Sequence, residues 1–276
     1  MILPIVLDTC TILNVLRIED NDEFLSKKLK NLDLNISDFV YKEAQKRYNK
    51  ISLAQEKTDY ISQQLPAFAT NIKNIEDSIK NDYFEELKTF CKPTKENGEL
   101  HSTLLSLQLC RQKGTRLYFY TDDYSAKNQF LPYFSYQQIG NICDSVDLLL
   151  FLYWSNNDFK DKDLKKYLQK LYSEYATPLK SFWNKIATKK DSLVKAKPKD
   201  TNLRNNLSKL EKGCNDLNFD VINEAVDFFK SCKKKYKEIN DIINAYPDIG
   251  TETEITVKIR DVMSKISNYK ILKRIC

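Results

Sequence analysis

The sequence predicts an α/β fold with a central parallel sheet, followed by a helical C-terminal region. Two observations predict it. Short runs of strand-forming residues (Ile2 to Leu7, Leu34 to Ser37, Leu117 to Tyr120) are separated by helical patterns, with no hairpin turn between them; strands joined in this way pair in parallel. After Ser155 the strand runs cease, and apolar residues recur at helical spacing among many lysines. The reading therefore places an α/β domain at residues 1–155 and a helical, lysine-rich domain or extension at 156–276.

The elements follow in order. Ile2 to Leu7 is an apolar run that reads as a buried strand; it stops at Asp8, after which "TCTILNVL" resumes with helical character. Asn21 to Asn31 reads as a short amphipathic helix and Leu34 to Ser37 as the second strand. A long helical pattern begins at Asp38, an expected N-cap, carries Phe39, Val40, Ala44 and Tyr48 on its apolar positions, and is interrupted by Pro66. Ile72 to Phe90 and Glu99 to Arg111 read as helices on either side of the breaker "CKPTKENG". Leu117 to Tyr120 is a third strand, running into Thr121, Asp122 and Asp123. "SYQQIG" is expected as an edge strand and Ser145 to Trp154 as a buried helix. Further on, helices are expected at Asp163 to Tyr175, Pro178 to Val194, Leu203 to Leu217, Asp220 to Ile243 and Thr256 to Ile271.

Composition narrows the function classes. With 42% hydrophobic and 12% aromatic residues, and only 5 Gly and 7 Pro, the 276-residue chain is expected to be globular and largely helical. No basic leader with a small-residue cleavage site opens the chain, and no apolar run is long enough to span a bilayer. A soluble, cytoplasmic protein is expected. The seven cysteines are scattered, without a Cys-x-x-Cys pair, so reduced thiols are expected and a zinc site is not. His101 is the only histidine, and no serine or cysteine lies in a nucleophile turn, which removes most triad chemistries. The net charge of +6 divides unevenly: residues 161–276 carry 9 more basic than acidic side chains, leaving the first 160 residues at −3. An acidic half beside a basic half suits a cation site next to a polyanion-binding surface, although lysines also simply keep helices soluble.

The acids fall at positions that matter in a parallel sheet, where ligands bind beyond the carboxyl ends of the strands. Asp8 ends the first strand, Glu43 lies one turn into the helix after the second, Glu99 opens a helix, and Asp122 and Asp123 follow the third strand. Taken singly, each has an ordinary role as helix cap or first-turn acid. Together they form a set whose mutual repulsion a hard divalent cation such as Mg²⁺ or Mn²⁺ relieves.

In this order, "LDTCTIL", "VYKEAQKR", "NGELHSTLLSLQL" and "YTDDYSAKN" resemble the PIN-domain nuclease family over roughly residues 1 to 155. The resemblance implies a PIN-like α/β/α sandwich with a central parallel sheet and a Mg²⁺ or Mn²⁺ site built from Asp8, Glu43, Glu99 and Asp122 or Asp123, supported by Thr9 and Thr121. The implied activity is endonucleolytic phosphodiester hydrolysis by metal-activated water, in RNA rather than DNA, as in bacterial toxins and phage-defence effectors. An inhibitory or regulatory protein partner and a homo-oligomer are compatible with it. Two departures stand out: Cys10 occupies a place often held by Asn, and His101 one that is often acidic. Of the remaining residues, His101 reads as a packing residue, and Asp144 and Asp147 either approach the acids from behind or cap a helix. Tyr124 is the aromatic placed to stack on a base. An aspartate-nucleophile phosphatase is rejected, since its second Asp would stand at Cys10. The rivals are a structure-specific DNA nuclease and a non-catalytic scaffold whose helical half binds a protein. The polyanion contacts expected on that half are Lys185, Lys189, Lys190, Lys195, Lys197 and Lys199, backed by Lys233, Lys234, Lys235 and Lys237.

Overall fold

The structure, a computed structural model, describes residues 3–20, 22–48, 55–92 and 96–275. Its described residues fall into two compact units, residues 1–171 with 258–276, and residues 172–257. The division lies elsewhere than at Ser155. The reason is the apolar face of the helix Asp161–Tyr175: its Leu164, Tyr167, Leu168 and Leu171 are buried, and Tyr167 packs edge-on against Phe159 and face-on against Phe24. The last helix also returns to the first unit, where Lys258 binds Asp144 and Asp147.

The first unit is an α/β structure around five parallel strands in the order β3-β2-β1-β4-β5. They are β1 (Pro4–Leu7), β2 (Asp33–Ser37), β3 (Ile72–Lys73), β4 (Leu117–Tyr120) and β5 (Gly140–Cys143). β1 is central, and its Ile5, Val6 and Leu7 are fully buried, as a strand covered on both faces must be. The chain winds outward from β1 through β2 and β3, then crosses to β4 on the other side. The order of strands therefore reverses between β1 and β4, and that switch point is where open parallel sheets form their ligand crevice.

The helices of this unit are α1 (Thr9–Ile18), α2 (Phe24–Leu29), α3 (Asp38–Arg47), α4 (Gln55–Gln64), α5 (Asp77–Cys91), α6 (Gly98–Lys113), α7 (Tyr124–Tyr136), α8 (Ser145–Ser155), α9 (Asp161–Tyr175) and most of the last helix (Glu254–Ile275). α6 buries nearly every side from Leu100 to Leu109, which explains why its sequence shows no polar face.

Several expectations shift. The cap of α3 is Ser37, whose Oγ accepts from the Val40 N–H at 3.2 Å; Asp38 is the first helical residue and pairs with Lys42. The expected helix from Ile72 begins only at Asp77, because Ile72 and Lys73 add to the sheet edge beside β2. Residues 49–54 of the long pattern after Asp38 lie outside the described residues. "SYQQIG" is a helix end and a turn, not a strand: Phe130, Tyr133 and Phe134 are buried at helical spacing, and pairing starts at Gly140. That glycine has φ +149°, and a Cβ there would stand 2.0 Å from the Leu117 carbonyl oxygen.

The second unit is helical. It contains α10 (Thr177–Ala196), α11 (Thr201–Asp216), α12 (Phe219–Ser231) and α13 (Lys237–Asn244), together with the end of α9 and the start of the last helix, α14. Its core is made of stripes at helical spacing, among them Leu179, Phe182 and Ile186, and Leu203, Leu207 and Leu210. The single helix expected at Asp220 to Ile243 is two, broken between Cys232 and Tyr236. Among the described residues no helix is long and apolar enough to cross a membrane.

Candidate active site

Asp8 settles what kind of acid ends β1. It stands at the N-cap position of α1 with extended backbone, yet its side chain makes no capping bond. Instead its Oδ2 accepts from Thr121 Oγ1 at 3.0 Å and from the Cys10 thiol at 3.1 Å. Asp8 is only 2% exposed, and its Oδ1 has no hydrogen-bond partner among the described residues. Two other acids in this unit, Asp123 and Asp144, do cap helices: Asp123 Oδ1 accepts from Ala126 N–H at 2.9 Å, and Asp144 Oδ1 from the N–H groups of Val146 and Asp147. A buried carboxylate oxygen left unsatisfied is costly. Burial pushes the Asp8 carboxyl up to about 6, with the neighbouring Glu43 charge adding to the shift.

Glu43 reaches the same place from α3. Its Oε2 accepts from Thr9 Oγ1 at 2.6 Å, and its Oε1 pairs with Arg47. The residue facing both acids is Gly98, the first residue of α6. A Cβ at that position would stand 2.9 Å from Glu43 Oε2 and 3.1 Å from Asp8 Oδ1. The two carboxylates therefore converge on a point kept clear by the missing side chain. Glu99 follows immediately, half-buried; burial and the charges of Asp8, Asp123 and Glu43 raise its carboxyl to about 7. Four acids from four different segments thus sense one another at the switch point.

Sequence alone did not separate Asp122 from Asp123. The structure does. The Asp122 carboxylate accepts from Asn14 Nδ2 at 2.6 Å, from the Ser145 N–H at 2.6 Å and from Ser145 Oγ at 2.5 Å, so it braces α1 and the start of α8. Asp123 is exposed at the start of α7, its N–H donates to Thr121 Oγ1, and its charge is the one that reaches Glu99. Thr9 donates to Glu43 and Thr121 to Asp8. The Cys10 thiol donates to Asp8, and its sulfur accepts the Asp122 N–H at 3.1 Å. Burial and the nearby acids hold that thiol well above its usual range, so it stays protonated. Arg47, Asn14, Gly98 and Ser145 were not singled out from sequence. Only Gly98 left a trace there, as the glycine before Glu99.

The remaining candidates take structural positions. The His101 ring stacks on Phe39 with centroids 4.6 Å apart, and its Nε2 lies 2.7 Å from Glu96. Asp144 and Asp147 form a capping box at α8 and pair with Lys258. The Tyr124 hydroxyl donates to Asp144 at 3.4 Å.

The lysines expected to contact a polyanion belong to the second unit, which carries fifteen Lys and Arg against thirteen Asp and Glu. Lys189 pairs with Glu238, Lys190 with Glu211 and Lys235 with Asp200; Lys185 lies over the Tyr246 ring and Lys197 over Tyr236, while Lys195 and Lys199 are exposed. The basic excess sits in the first unit, above all in residues 258–276 with six Lys and Arg and one Asp.

Among the described residues no group of three or more His, Cys, Asp or Glu side chains is placed to hold a metal ion. The donor set nonetheless suits a hard divalent cation: oxygen ligands only from the acids, one buried carboxylate oxygen without a partner, and a gap beside Gly98. Comparison of the chain with protein-family models, curated proteins and solved structures returns no match.

Proposed function

We propose that the first unit is a PIN-like, divalent-cation-dependent nuclease acting on RNA, with Asp8, Glu43, Glu99 and Asp123 as the residues that hold the cation. The observation that carries the reading is the unpartnered, buried Asp8 Oδ1 facing Glu43 across Gly98 at the sheet's switch point. A helix cap would have used that oxygen, and a structural ion pair would have supplied a cation from the chain. When bound, Mg²⁺ or Mn²⁺ supplies the Lewis acid that activates water and stabilises charge at phosphorus.

The chain's own residues hold the acids in place. Thr121 and Cys10 fix the Asp8 carboxylate through Oδ2 and leave Oδ1 directed elsewhere. Thr9 and Arg47 fix Glu43. Asp122 ties α1 to the start of α8, so that the turns after β1, β4 and β5 keep their spacing. Burial and the neighbouring acids hold the Asp8 and Glu99 carboxyls above their ordinary range, and a bound cation would favour the ionised form of both.

Incubating the purified protein with single-stranded RNA and DNA, with Mn²⁺ or with EDTA, tests the reading. It expects Mn²⁺-dependent RNA cleavage that Asp8→Asn abolishes. Cleavage of neither nucleic acid, or cleavage unaffected by Asp8→Asn, contradicts it.

A further inference from the structure

Beside the acids, and distinct from them, an open cleft of about 470 Å³ lies at the carboxyl ends of β2 and β3. That volume suits one nucleotide. Its floor and one wall are Ile75 and Phe39, the latter stacked on His101. Its rim carries Lys42, Lys73 and Lys80, with Asp38, Glu76 and Asp77 among them. Three acids stand among the three lysines, and Lys73 is the rim lysine with no acid partner among the described residues. Asp38 and Asp77 are first-turn residues of α3 and α5 that pair with Lys42 and Lys80 one turn on. Glu76 accepts from Gln112 instead. Lys73 projects from the edge strand, exposed. The first turn of α5, whose N-cap side chain makes no capping bond, also opens here.

Position connects the cleft to the acids. Phe39 and Glu43 lie four residues apart on one face of α3, about 6 Å along its axis. Gly98 and His101 lie three apart on the facing side of α6. The Phe39–His101 stack is therefore one helical turn from the place where Glu43 meets Gly98.

We propose that this cleft seats the nucleotide flanking the cut phosphodiester, its base against Phe39 and its phosphate at Lys73. The inference rests on the nuclease reading and names where the strand enters. It moves strand recognition from the lysines of the helical unit to Lys73.

His101 is the only histidine, so its imidazole gives one isolated resonance that reports on this cleft. The experiment uses the full-length Asp8→Asn protein, which keeps the strand intact, and titrates it with (rU)6 and (dT)6 at low salt. The expected result is a saturable shift of the His101 Cε1–H signal. Lys73→Gln should weaken binding several-fold and lower the salt slope by about one. Phe39→Leu, which keeps an apolar wall, should weaken it about tenfold through lost stacking. If fluorescence anisotropy shows binding while the His101 signal stays still and Lys73→Gln binds normally, the cleft is not the seat. Absence of binding at low salt overturns it equally. Neither result touches the nuclease reading, which stands or falls on Mn²⁺-dependent cleavage by the unaltered protein.

Discussion

The switch point of the first unit and the lysine-bearing face of the second treat charge in opposite ways. Around Asp8, the carboxylates of Asp8 and Glu43 converge beside Gly98, Asp8 Oδ1 lacks a partner among the described residues, and Arg47 pairs with Glu43. On the helical unit, lysines meet Glu211, Glu238, Asp200 and aromatic rings at the surface. Matched surface charges contribute little and imply nothing beyond solubility. Like charges gathered in a protein interior lower stability, and a fold keeps them where something else binds there. The contrast separates a site from a solvated surface better than net charge does.

Breaking the acidic cluster should have the largest effect. Asp8→Asn should reduce cleavage by about a thousandfold, because a metal ligand contributes several kcal/mol at the transition state. The same change should stabilise the metal-free protein at pH 8 by up to about 3 kcal/mol, since a carboxyl held some two units above its usual value resists ionisation in the fold. Single-turnover cleavage and urea unfolding measure the two effects, and their opposite signs are the signature.

Gly98→Ala comes next. A methyl group 2.9 Å from Glu43 Oε2 and 3.1 Å from Asp8 Oδ1 must push the carboxylates apart. Cleavage should drop about tenfold to a hundredfold. Stability should change by less than about 1 kcal/mol, because alanine favours the helix that the strain opposes. Rates and unfolding midpoints of the purified variant decide this.

The pH dependence is smaller and has a definite sign. Asp8 and Glu99 are held at about 6 and about 7 in the fold, above the ordinary carboxylate range. Between pH ~4 and ~7 the folded state therefore binds more protons than the unfolded chain, and these groups' stabilising contribution is lost as pH rises through that window. Urea midpoints measured in EDTA should show this decline, and it should flatten in an Asp8→Asn, Glu99→Gln protein. The smallest effect belongs to the other region: Lys190→Gln should change stability by less than about 0.5 kcal/mol and cleavage not at all.

The sheet was legible because its strands are short apolar runs that end in polar residues, and helices fill every gap between them. β5 escaped because its pattern is overwritten by its neighbour: Phe130, Tyr133 and Phe134 bury a helix immediately before it, and Gly140 hides the start of the strand. Asp8, Glu43 and Glu99 were visible because the ends of parallel strands and the helices after them meet at one edge. The choice between Asp122 and Asp123 was not, since it depends on Ser145 and Asn14, distant in sequence, claiming one of two adjacent acids. The pairing of the lysines was hidden for a related reason. Their partners Glu211 and Glu238 come from other helices, and no local pattern announces that pairing.

A divalent cation held by the acids at the switch point must stabilise the folded protein. Thermal unfolding of the unaltered protein and of Asp8→Asn at pH 7.5, each in EDTA and in 10 mM Mn²⁺, tests it most directly, because a cation that binds only the folded state must raise its melting temperature. The account predicts that Mn²⁺ raises the melting temperature of the unaltered protein by several degrees and leaves that of Asp8→Asn almost unmoved. Equal shifts in the two proteins, or none in either, would contradict it.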